Sequence, residues 1–464
     1  MSDGPQASFA QHSAHRPRRI LLLSLTAIAI AVLGFVFVSN LIDFPVYYAA
    51  GRSLISGRSD LYSPDFAAGR VMDYRYPPFF LVAFAPLWLM SYAVAAYIWY
   101  LLEVFQIIES VTILRRVIRP ARLTWKVALV TALSVAQYYV MTLHYGNAHL
   151  MAVFLLFAAF CFAFKEKNLV GAFAMSLAVT IKLTPVLLLP YFALKKKSSF
   201  LVLTGALLIA INLAPAAYFG FNQNVELLKG WYGHVVAEQE FHEANGPINL
   251  SLKGQLRRYF TRVDYSKRVD GDVQYPAVNV ASLSARQTDA AWMIISAMVF
   301  ASALGVVWKT SQTGSGESDA GKPESEQARD GLVERAALEF GFMICVGLLI
   351  GPLTSKIYFI ALLWPVASLT AFAMPRSTPS ARFAFRVVLV IAAVNFVLPL
   401  LPGRSVQRLL LVLGADFYVN CLLLAALTYA LVASRRTAPR QSAEPQMRAP
   451  SATRTPSLLR RRQN

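Results

Sequence analysis

Apolar residues occur along this chain in long runs that short polar segments separate. Most runs are about 17 to 25 residues long, the length that an α-helix needs to cross the hydrocarbon core of a bilayer. They lie at residues 20–40, 77–114, 126–143, 148–164, 199–219, 289–308, 335–352, 356–374, 382–400 and 408–432. The pattern predicts an all-α polytopic membrane protein with about 10 to 12 transmembrane helices.

Composition and charge agree with this prediction. Of the 464 residues, 56% are hydrophobic, which is more apolar surface than a soluble domain can bury. The net charge is +19, and many basic residues stand at the ends of apolar runs, as cytoplasmic segments require. Examples are Arg115, Arg116, Lys165, Lys167, Lys195, Lys196, Lys197, Arg435 and Arg436. Because no basic stripe lies on a soluble fold, we expect no nucleic-acid partner.

Polar segments divide the chain into a membrane domain and two tails. Residues 1–19 and 434–464 are polar and basic, and we expect both tails to be disordered and cytoplasmic. The membrane domain, residues 20–433, carries two external loops at about 41–76 and 221–288 and a low-complexity cytoplasmic linker at about 310–331. The protein is thus expected in the cell (inner or plasma) membrane. The run 77–114 is long enough for two segments, so its number of crossings is left open.

A broken apolar run at residues 169–194 has positive charge at both ends and the sequence KLTP in its middle. We interpret it as a re-entrant pair of short helices. Irregular backbone is tolerated at membrane depth only where it lines a cavity, so Lys182 is expected at the bottom of one. A lysine in an apolar run is a functional-site candidate, with snorkelling towards the interface as the structural alternative.

The stretch DFPVYYAAGRSLISGRSDLY follows the first run and starts at Asp43. It places Tyr47, Tyr48 and Arg58 close to this carboxylate, and YRYPPFF, with Tyr76, comes soon after. Together these side chains suit an acidic, hydroxylated ligand. The structural alternatives are a helix cap for the aspartate and a membrane-interface belt for the tyrosines.

Three further polar clusters flank apolar runs. In HYGNAH, Asn147 and His149 suit hydrogen bonds to a sugar, although histidine is common at wet interfaces. In NLSLKGQLRR, Arg257 and Arg258 suit an anionic lipid, and an amphipathic helix lying on the membrane is the alternative. In GPLTSKIYF, Lys356 and Tyr358 open a span on the external side, where Lys356 is either a ligand or a helix anchor.

The charge pattern assigns all these clusters to the extracytoplasmic side. This asymmetry predicts a reaction on a lipid-borne substrate outside the cytoplasm. The three cysteines lie far apart in apolar runs and match neither a disulfide framework nor a zinc site. We expect no metal site and no cofactor. A divalent metal is left open because Asp43, Asp60 and Asp65 share one loop, although their spacing matches no known cage.

These motifs, in this order, resemble glycosyltransferase family 87 over roughly residues 40–365. The resemblance implies a GT-C type fold and a mannosyltransferase- or arabinosyltransferase-like enzyme that uses polyprenyl-phosphate sugars. By position, Asp43 matches the family's catalytic aspartate and Lys182 matches the lysine of its Lys-Leu-Thr-Pro motif. The chain departs from the family where Asn147 and His149 replace the Gln and Asn of Gly-Gln-x-Asn. It departs again where Ser355 and Tyr358 stand in place of a Trp and a His.

The function expected from the residues and the resemblance is an inverting sugar transfer to a lipid-linked or cell-envelope glycan acceptor, with Asp43 as general base. The groups expected to bind the donor phosphate are Lys182, Arg58, Arg257, Arg258 and Lys356. Those expected to contact the sugar or the acceptor are Tyr47, Tyr48, Tyr76, Asn147, His149 and Tyr358. Membrane lipids are the other expected partners. The alternatives are a lipid or sugar transporter or flippase, and a non-catalytic subunit of an envelope-assembly complex.

Overall fold

The protein is described by a computed structural model over residues 24–57, 60–62, 74–118, 122–233, 248–262, 276–312 and 326–436. In this part of the chain the regular structure is entirely helical. Seven helices are long and apolar enough to cross a membrane, and four shorter apolar helices accompany them. The prediction of an all-α polytopic membrane protein is confirmed. Arg58, Asp65 and the tail 1–19 lie outside the described residues.

The helices are numbered here in chain order. They are α1 (Ser24–Val38), α2 (Phe44–Ile55), α3 (Pro78–Ala83), α4 (Ala85–Trp88), α5 (Tyr92–Val117), α6 (Trp125–Tyr145), α7 (His149–Phe164), α8 (Asn168–Ile181), α9 (Leu189–Leu194), α10 (Ser198–Leu213), α11 (Ala216–Phe219), α12 (Phe221–Trp231), α13 (Leu252–Phe260), α14 (Ala285–Gln312), α15 (Glu326–Ile350), α16 (Leu363–Ala373), α17 (Pro379–Val397), α18 (Arg404–Leu413) and α19 (Ala415–Arg436). Three 3₁₀ segments cover Thr184–Leu188, Lys356–Leu362 and Leu398–Leu400.

One end of the helical bundle, which we call the Asp43 face, collects the polar clusters. The Asp43 N–H donates to the Tyr145 carbonyl at the end of α6, at 2.8 Å. The Asn249 side chain, just before α13, donates to the Pro352 carbonyl at 2.9 Å, so two segments far apart in the sequence meet here. These contacts place the candidate site residues at the ends of helices rather than at their middles.

The opposite end, which we call the basic face, collects ion pairs. Glu334 near the start of α15 pairs with Arg122, which precedes α6, and with Arg376, which precedes α17. Lys195 at the end of α9 pairs with Glu339 and donates to the Ser311 hydroxyl of α14 at 2.8 Å. Because several helices begin or end at these pairs, the basic face marks one common boundary of the bundle.

Residues 169–194 form two helical segments broken at the sequence KLTP, as predicted. Helix α8 ends at Lys182, whose backbone is extended with φ −145° and ψ 123°. The 3₁₀ segment Thr184–Leu188 and α9 then lead back, and Lys197 contacts Glu166. The start and the end of the pair are therefore neighbours on the basic face, and Lys182 lies at its turning point.

Several boundaries differ from those that hydropathy predicts. The run 77–114 forms the short helices α3 and α4 and then one long helix, α5. The segment 41–76, taken as a loop, contains α2, and the segment 221–288 contains α12 and α13. The linker is shorter than 310–331, because α14 extends to Gln312 and α15 begins at Glu326. A helix can continue into polar residues, so the end of an apolar run does not mark the end of the helix.

The last predicted span, 408–432, is wrong at its start. Gly414 has a left-handed φ of +79° and ends α18, so the final long helix begins at Ala415. That helix continues to Arg436, so residues 434–436 of the predicted C-terminal tail are helical, and residues 437–464 lie outside the described residues. Glycine is the residue that adopts this conformation without steric cost, which explains the break.

The core of the bundle surrounds the segment Lys356–Ala373, in which 94% of the residues are buried. Trp364 packs against Phe160 and Phe340 with ring centroids 4.8 and 5.1 Å away, and its indole N–H donates to the Ala337 carbonyl at 2.9 Å. Large aromatic side chains in such a cluster contribute strongly to packing. This rigid core fixes the position of Tyr358, which lies on the same segment.

Candidate active site

Asp43 stands immediately before α2, with Pro45 in the first turn of that helix. The Asp43 carbonyl accepts from the Val46 N–H at 3.0 Å, but the side chain makes no capping hydrogen bond. Asp43 therefore occupies the N-cap position of α2, as the structural alternative supposed, but its side chain does not cap the helix. With 9% of its surface exposed, the carboxylate is largely shielded from water but can still be reached by a ligand.

Asn147 holds this carboxylate from the turn between α6 and α7. Its amide Nδ2 donates to Asp43 Oδ2, and its Oδ1 accepts from the His149 N–H at 2.7 Å. Asn147 was expected to contact a sugar; in the structure its amide is directed to the aspartate. This role has no sequence signal, because the two residues are 104 positions apart.

Gly146 makes this turn possible. Its φ of +63° is left-handed, and a Cβ added there would lie 3.0 Å from Leu41 and 3.1 Å from Phe44. Its carbonyl accepts from the Trp99 indole N–H at 3.0 Å. A larger residue would push the turn away from the start of α2, so glycine allows Asn147 to approach Asp43.

Two tyrosines form a wall beside Asp43. The Tyr47 and Tyr76 hydroxyls lie 3.0 Å apart, and the Ala148 N–H donates to Tyr47 Oη at 3.4 Å. Burial, followed by the negative charge of Asp43, raises the pKa of Tyr76, and burial raises the pKa of Tyr47 well above its ordinary value. Both hydroxyls thus stay protonated and can donate hydrogen bonds at neutral pH.

Tyr48, also expected to contact the sugar, is engaged elsewhere. Its hydroxyl donates to the Met90 carbonyl at 2.7 Å, and its ring packs edge-on against Tyr92 with centroids 5.4 Å apart. These contacts attach α2 to the start of α5. The structure therefore gives Tyr48 a packing role in positioning α2.

Lys182, Tyr358 and His149 form a second cluster that adjoins the first. Lys182 donates to the Tyr358 hydroxyl, and its Nζ lies 4.0 Å from the centre of that ring. The Tyr358 and His149 rings stack with centroids 4.3 Å apart. Because the His149 N–H also binds Asn147, a continuous set of contacts connects Lys182 with Asp43.

An apolar groove of about 470 Å³, including its open mouth, begins at this second cluster. Its polar lining comes from residues at or near the ends of their elements on the Asp43 face: His149, Thr184, Thr354 and Tyr358. Its apolar lining comes mostly from residues further along the same helices: Ala152, Val153, Leu156, Leu188, Ile344 and Leu348. The groove is therefore polar where it adjoins Lys182 and apolar within the bundle.

The remaining predicted cations are bound to other groups. Arg257 pairs with Asp289, with Nε 3.1 Å from Oδ1, and Arg258 Nη1 donates to the Asn249 carbonyl at 2.7 Å. Lys356 Nζ lies 4.0 Å from an Asp416 oxygen. These interactions tie α13 and α19 into the bundle.

The alternative that this segment forms an amphipathic helix lying on the membrane is wrong. Lys253, Arg257 and Arg258 of α13 are all buried in the folded protein. Charged side chains of a surface helix would instead face water. Helix α13 therefore supports the segment before Tyr358 from within the bundle.

Glu103 is a candidate that the sequence analysis did not single out. It is 1% exposed and lies on α5 one turn beyond Trp99, whose indole N–H is near its carboxyl group but donates to the Gly146 carbonyl. Among the described residues, neither carboxyl oxygen makes a hydrogen bond of normal geometry. It interacts electrostatically with Asp43. The signal that identified Lys182, an ionisable residue within an apolar run, also applies to Glu103.

Among the residues that the structure describes, no group of three His, Cys, Asp or Glu side chains has the geometry to hold a metal ion. Asp65, which shares a loop with Asp43 and Asp60, lies outside the described residues.

A many-helix apolar bundle with these polar clusters at one end is a polytopic membrane protein with a candidate active site on one face. The model of glycosyltransferase family 87 matches residues 74–317, slightly more than half of the chain, and the protein belongs to this family. It is thus a membrane glycosyltransferase with a GT-C type fold. The match is narrower than the expected 40–365: it includes Asn147, His149 and Lys182 and begins after Asp43. Comparison with curated proteins and with solved structures gives no match.

Proposed function

We propose that the protein transfers a sugar from a polyprenyl-phosphate donor to a lipid-linked or cell-envelope glycan acceptor, with inversion at the anomeric carbon. Asp43 is the general base, and Lys182 binds the donor phosphate. Mannose is the first sugar to test, followed by arabinose, because both sugars occur among the family's donors.

The observation that carries this proposal is the polarity of the groove. A polyprenyl-phosphate sugar joins a charged, hydroxylated head to a long apolar chain. At one end the groove offers the His149 imidazole and the Tyr358 hydroxyl, and the Lys182 ammonium binds that hydroxyl. Further inside it offers Val153, Leu156 and Leu348. Ligand sites are generally apolar with few convergent polar groups, and the groove has this composition.

The proposed chemical step assigns one role to Asp43 and one to Lys182. The acceptor hydroxyl gives its proton to the Asp43 carboxylate while its oxygen forms a bond to the anomeric carbon. The bond between that carbon and the phosphate oxygen breaks, and the electron pair leaves with the phosphate. Positioned base catalysis contributes about 10²- to 10⁴-fold in rate.

Charge develops on the departing phosphate oxygen, so a cation placed there in advance stabilises the transition state. Lys182 fits this role because an ammonium is a good point-charge partner for phosphate, and it is partly buried beside Tyr358. In the structure this ammonium binds the Tyr358 hydroxyl, which the donor phosphate would replace or join. Arg257, Arg258 and Lys356 support the fold around the site instead, and they drop out of the proposed phosphate ligands.

The proposed orientation has the basic face in the cytoplasm and the Asp43 face outside, in the inner or plasma membrane. The concentration of Lys195, Lys197 and Arg376 at one end of the bundle supports it, because cytoplasmic segments carry the excess of Lys and Arg. Both termini are then cytoplasmic. A polyprenyl-linked donor suits this geometry because nucleotide-activated sugars are confined to the cytoplasm.

The test uses the full-length protein purified in detergent or nanodiscs. Labelled polyprenyl-phosphate mannose and arabinose are supplied separately with a lipid and glycan extract, and wild type is compared with Asp43→Asn. Glu226→Gln is the control, since it makes the same change from carboxylate to amide at an exposed position on α12. We expect labelled product from wild type and the control but at least about 100-fold less from Asp43→Asn.

Two outcomes contradict the proposal. Full activity of Asp43→Asn removes this residue as the base. An absence of product with every donor, in protein that elutes as a folded monodisperse species, favours a transporter or a non-catalytic subunit. A parallel reaction with EDTA tests the proposed metal independence: activity that is lost and then restored by Mg²⁺ or Mn²⁺ contradicts it.

A further inference from the structure

The turn between α6 and α7 is attached to Asp43 by both backbone and side chain. The N–H groups of Ile42 and Asp43 both donate to the Tyr145 carbonyl, at 3.3 and 2.8 Å. Two residues later, the Asn147 amide donates to Asp43 Oδ2. Both the main chain and the carboxylate of Asp43 are thus held by the turn between α6 and α7.

The hydrogen bonds of Asn147 also determine which way its amide points. Its Oδ1 accepts from the His149 N–H at 2.7 Å, and a backbone N–H can only donate. The other end of the amide, facing the carboxylate, must therefore be the NH₂ group. A flipped amide would set two oxygens against each other and leave the His149 N–H without this acceptor.

We propose that Asn147 is a positioning residue, which orients the Asp43 carboxylate and favours its ionised, proton-accepting form, rather than a ligand of the sugar. This inference rests on the proposed role of Asp43 as the general base. A hydrogen bond donated to a carboxylate stabilises its charged form, whereas burial and nearby carboxylates oppose it. Asn147 thereby offsets the dehydrated surroundings that α2 and the tyrosine wall create.

Several titratable groups lie around Asp43, and their charges affect the pH profile of its activity. Tyr47 on α2, Tyr76 before α3 and Glu103 on α5 each interact electrostatically with it. His149 and Lys182 connect to it through Asn147 and Tyr358, and Arg75 acts on Tyr76. Because an Asn147 substitution leaves the chemical identity of all these groups unchanged, a shift in the pH profile reports the loss of the amide itself.

A base works when it is ionised, so activity falls as the pH drops and the carboxylate is protonated. Removing the donated hydrogen bond makes protonation easier, so the acid limb of the pH profile moves to higher pH. A charge-assisted hydrogen bond of ordinary strength corresponds to about one pH unit or more.

The experiment measures kcat, the KM for donor and acceptor, and the acid limb of the pH profile for Asn147→Ala and Asn147→Asp. Asn222→Ala, at an exposed position on α12, is the control. We expect kcat to fall about 10- to 100-fold and KM to stay within about twofold in the alanine variant. The acid limb should move upward in both variants, and further in Asn147→Asp, which brings a second carboxylate of the same size to the site.

A raised KM with an unmoved acid limb would overturn the inference and return Asn147 to sugar binding. Unchanged kinetics would overturn it as well. Because Asn147→Asp preserves the side-chain shape, it keeps the test open if the alanine variant does not fold. Asp43→Asn is measured alongside: full activity there refutes the base itself, whereas a failure confined to the Asn147 variants leaves the proposed function standing.

Discussion

Lys182 and Tyr358 are 176 residues apart in sequence, yet the lysine ammonium donates to the tyrosine hydroxyl and lies 4.0 Å from the centre of its ring. The contact exists because the re-entrant pair turns at Lys182 beside the 3₁₀ segment Lys356–Leu362. The ammonium is thereby held beside Tyr358, which lines the groove, and is kept from the interface to which a free lysine would extend.

Lys182→Met tests this ammonium by removing the charge while keeping most of the apolar stem. We expect kcat/KM for the donor to fall about 10²- to 10³-fold, as when one preorganised group is removed from a developing charge. Tyr358→Phe should cost less, because the ring that stacks on His149 is kept. Steady-state kinetics with labelled donor measure both effects.

Lys229→Met is the matched control for this series, since Lys229 is an exposed residue of α12 paired with Glu226. It should have activity close to that of wild type. A Lys182→Met enzyme with normal donor kinetics would show that the ammonium has no part in binding the phosphate.

Gly146→Ala tests the geometry of the turn that holds Asp43. The new methyl group meets Leu41 and Phe44 at about 3 Å, and alanine is strained at a φ of +63°. We expect a loss of at least about 1–2 kcal/mol in the free energy of unfolding, together with reduced activity. Thermal unfolding in one detergent, with activity assays, measures the two effects.

Gly220→Ala separates strain from crowding. Gly220 has φ +80° and ψ 156°, a conformation that strains alanine at least as much as the one at Gly146, but a Cβ there meets no described atom within 4 Å. Gly220→Ala should lower the free energy of unfolding through backbone strain and should have little effect on activity. Equal loss of activity in both variants would mean that the close approach at Gly146 is not what matters.

Glu103→Leu tests the buried carboxyl on α5. Since neither of its oxygens makes a hydrogen bond of normal geometry among the described residues, replacing it with an apolar side chain of similar size removes an unfavourable burial. We expect the free energy of unfolding to rise by about 1 kcal/mol, and Glu103→Gln to have a smaller effect. Melting temperatures measured at one pH and in one detergent provide the comparison.

A lower melting temperature for both Glu103 variants would contradict this expectation. It would mean that the carboxyl makes a favourable interaction in the folded protein, for example with a buried water. Activity measured on the same samples shows in addition whether the electrostatic interaction between Glu103 and Asp43 affects the reaction.

Membrane orientation is tested with single cysteines on a background in which the three native cysteines are replaced. Ser56→Cys lies after α2 on the Asp43 face, and Lys165→Cys lies after α7 on the basic face; both positions are exposed. A membrane-impermeant maleimide should label Ser56→Cys in intact cells, or in spheroplasts where an outer barrier exists, and Lys165→Cys only after lysis. The reverse pattern would invert the proposed orientation.

Local physics explains how much of the fold could be predicted. The apolar runs, the break at Lys182 and the return of residues 169–194 to one face were all predicted, because helix length and bilayer thickness act on short stretches of chain. The errors lie at boundaries. Gly414 ends a helix inside an apolar run, and α5 extends beyond the run 77–114 because hydropathy does not report helix ends.

The candidate site was predicted less completely. Asp43, Tyr47, Tyr76, Lys182, His149 and Tyr358 were all selected from the sequence, and the structure brings them into one set of contacts. Arg257 and Lys356 were selected by the same argument and are paired with Asp289 and Asp416 instead. A charge near a membrane surface looks the same in the sequence whether it awaits a ligand or already has a partner.

By itself, the sequence determined that this protein is a helical membrane protein with polar chemistry at one end of its spans, because hydrophobicity and helical periodicity are local properties. The tertiary structure decided which side chains meet. Asn147 reaches Asp43 across 104 residues, and Tyr358 comes between His149 and Lys182, only because separate helices pack into one bundle. Partner choice depends on that packing, since a side chain binds the group that the fold places within hydrogen-bonding distance.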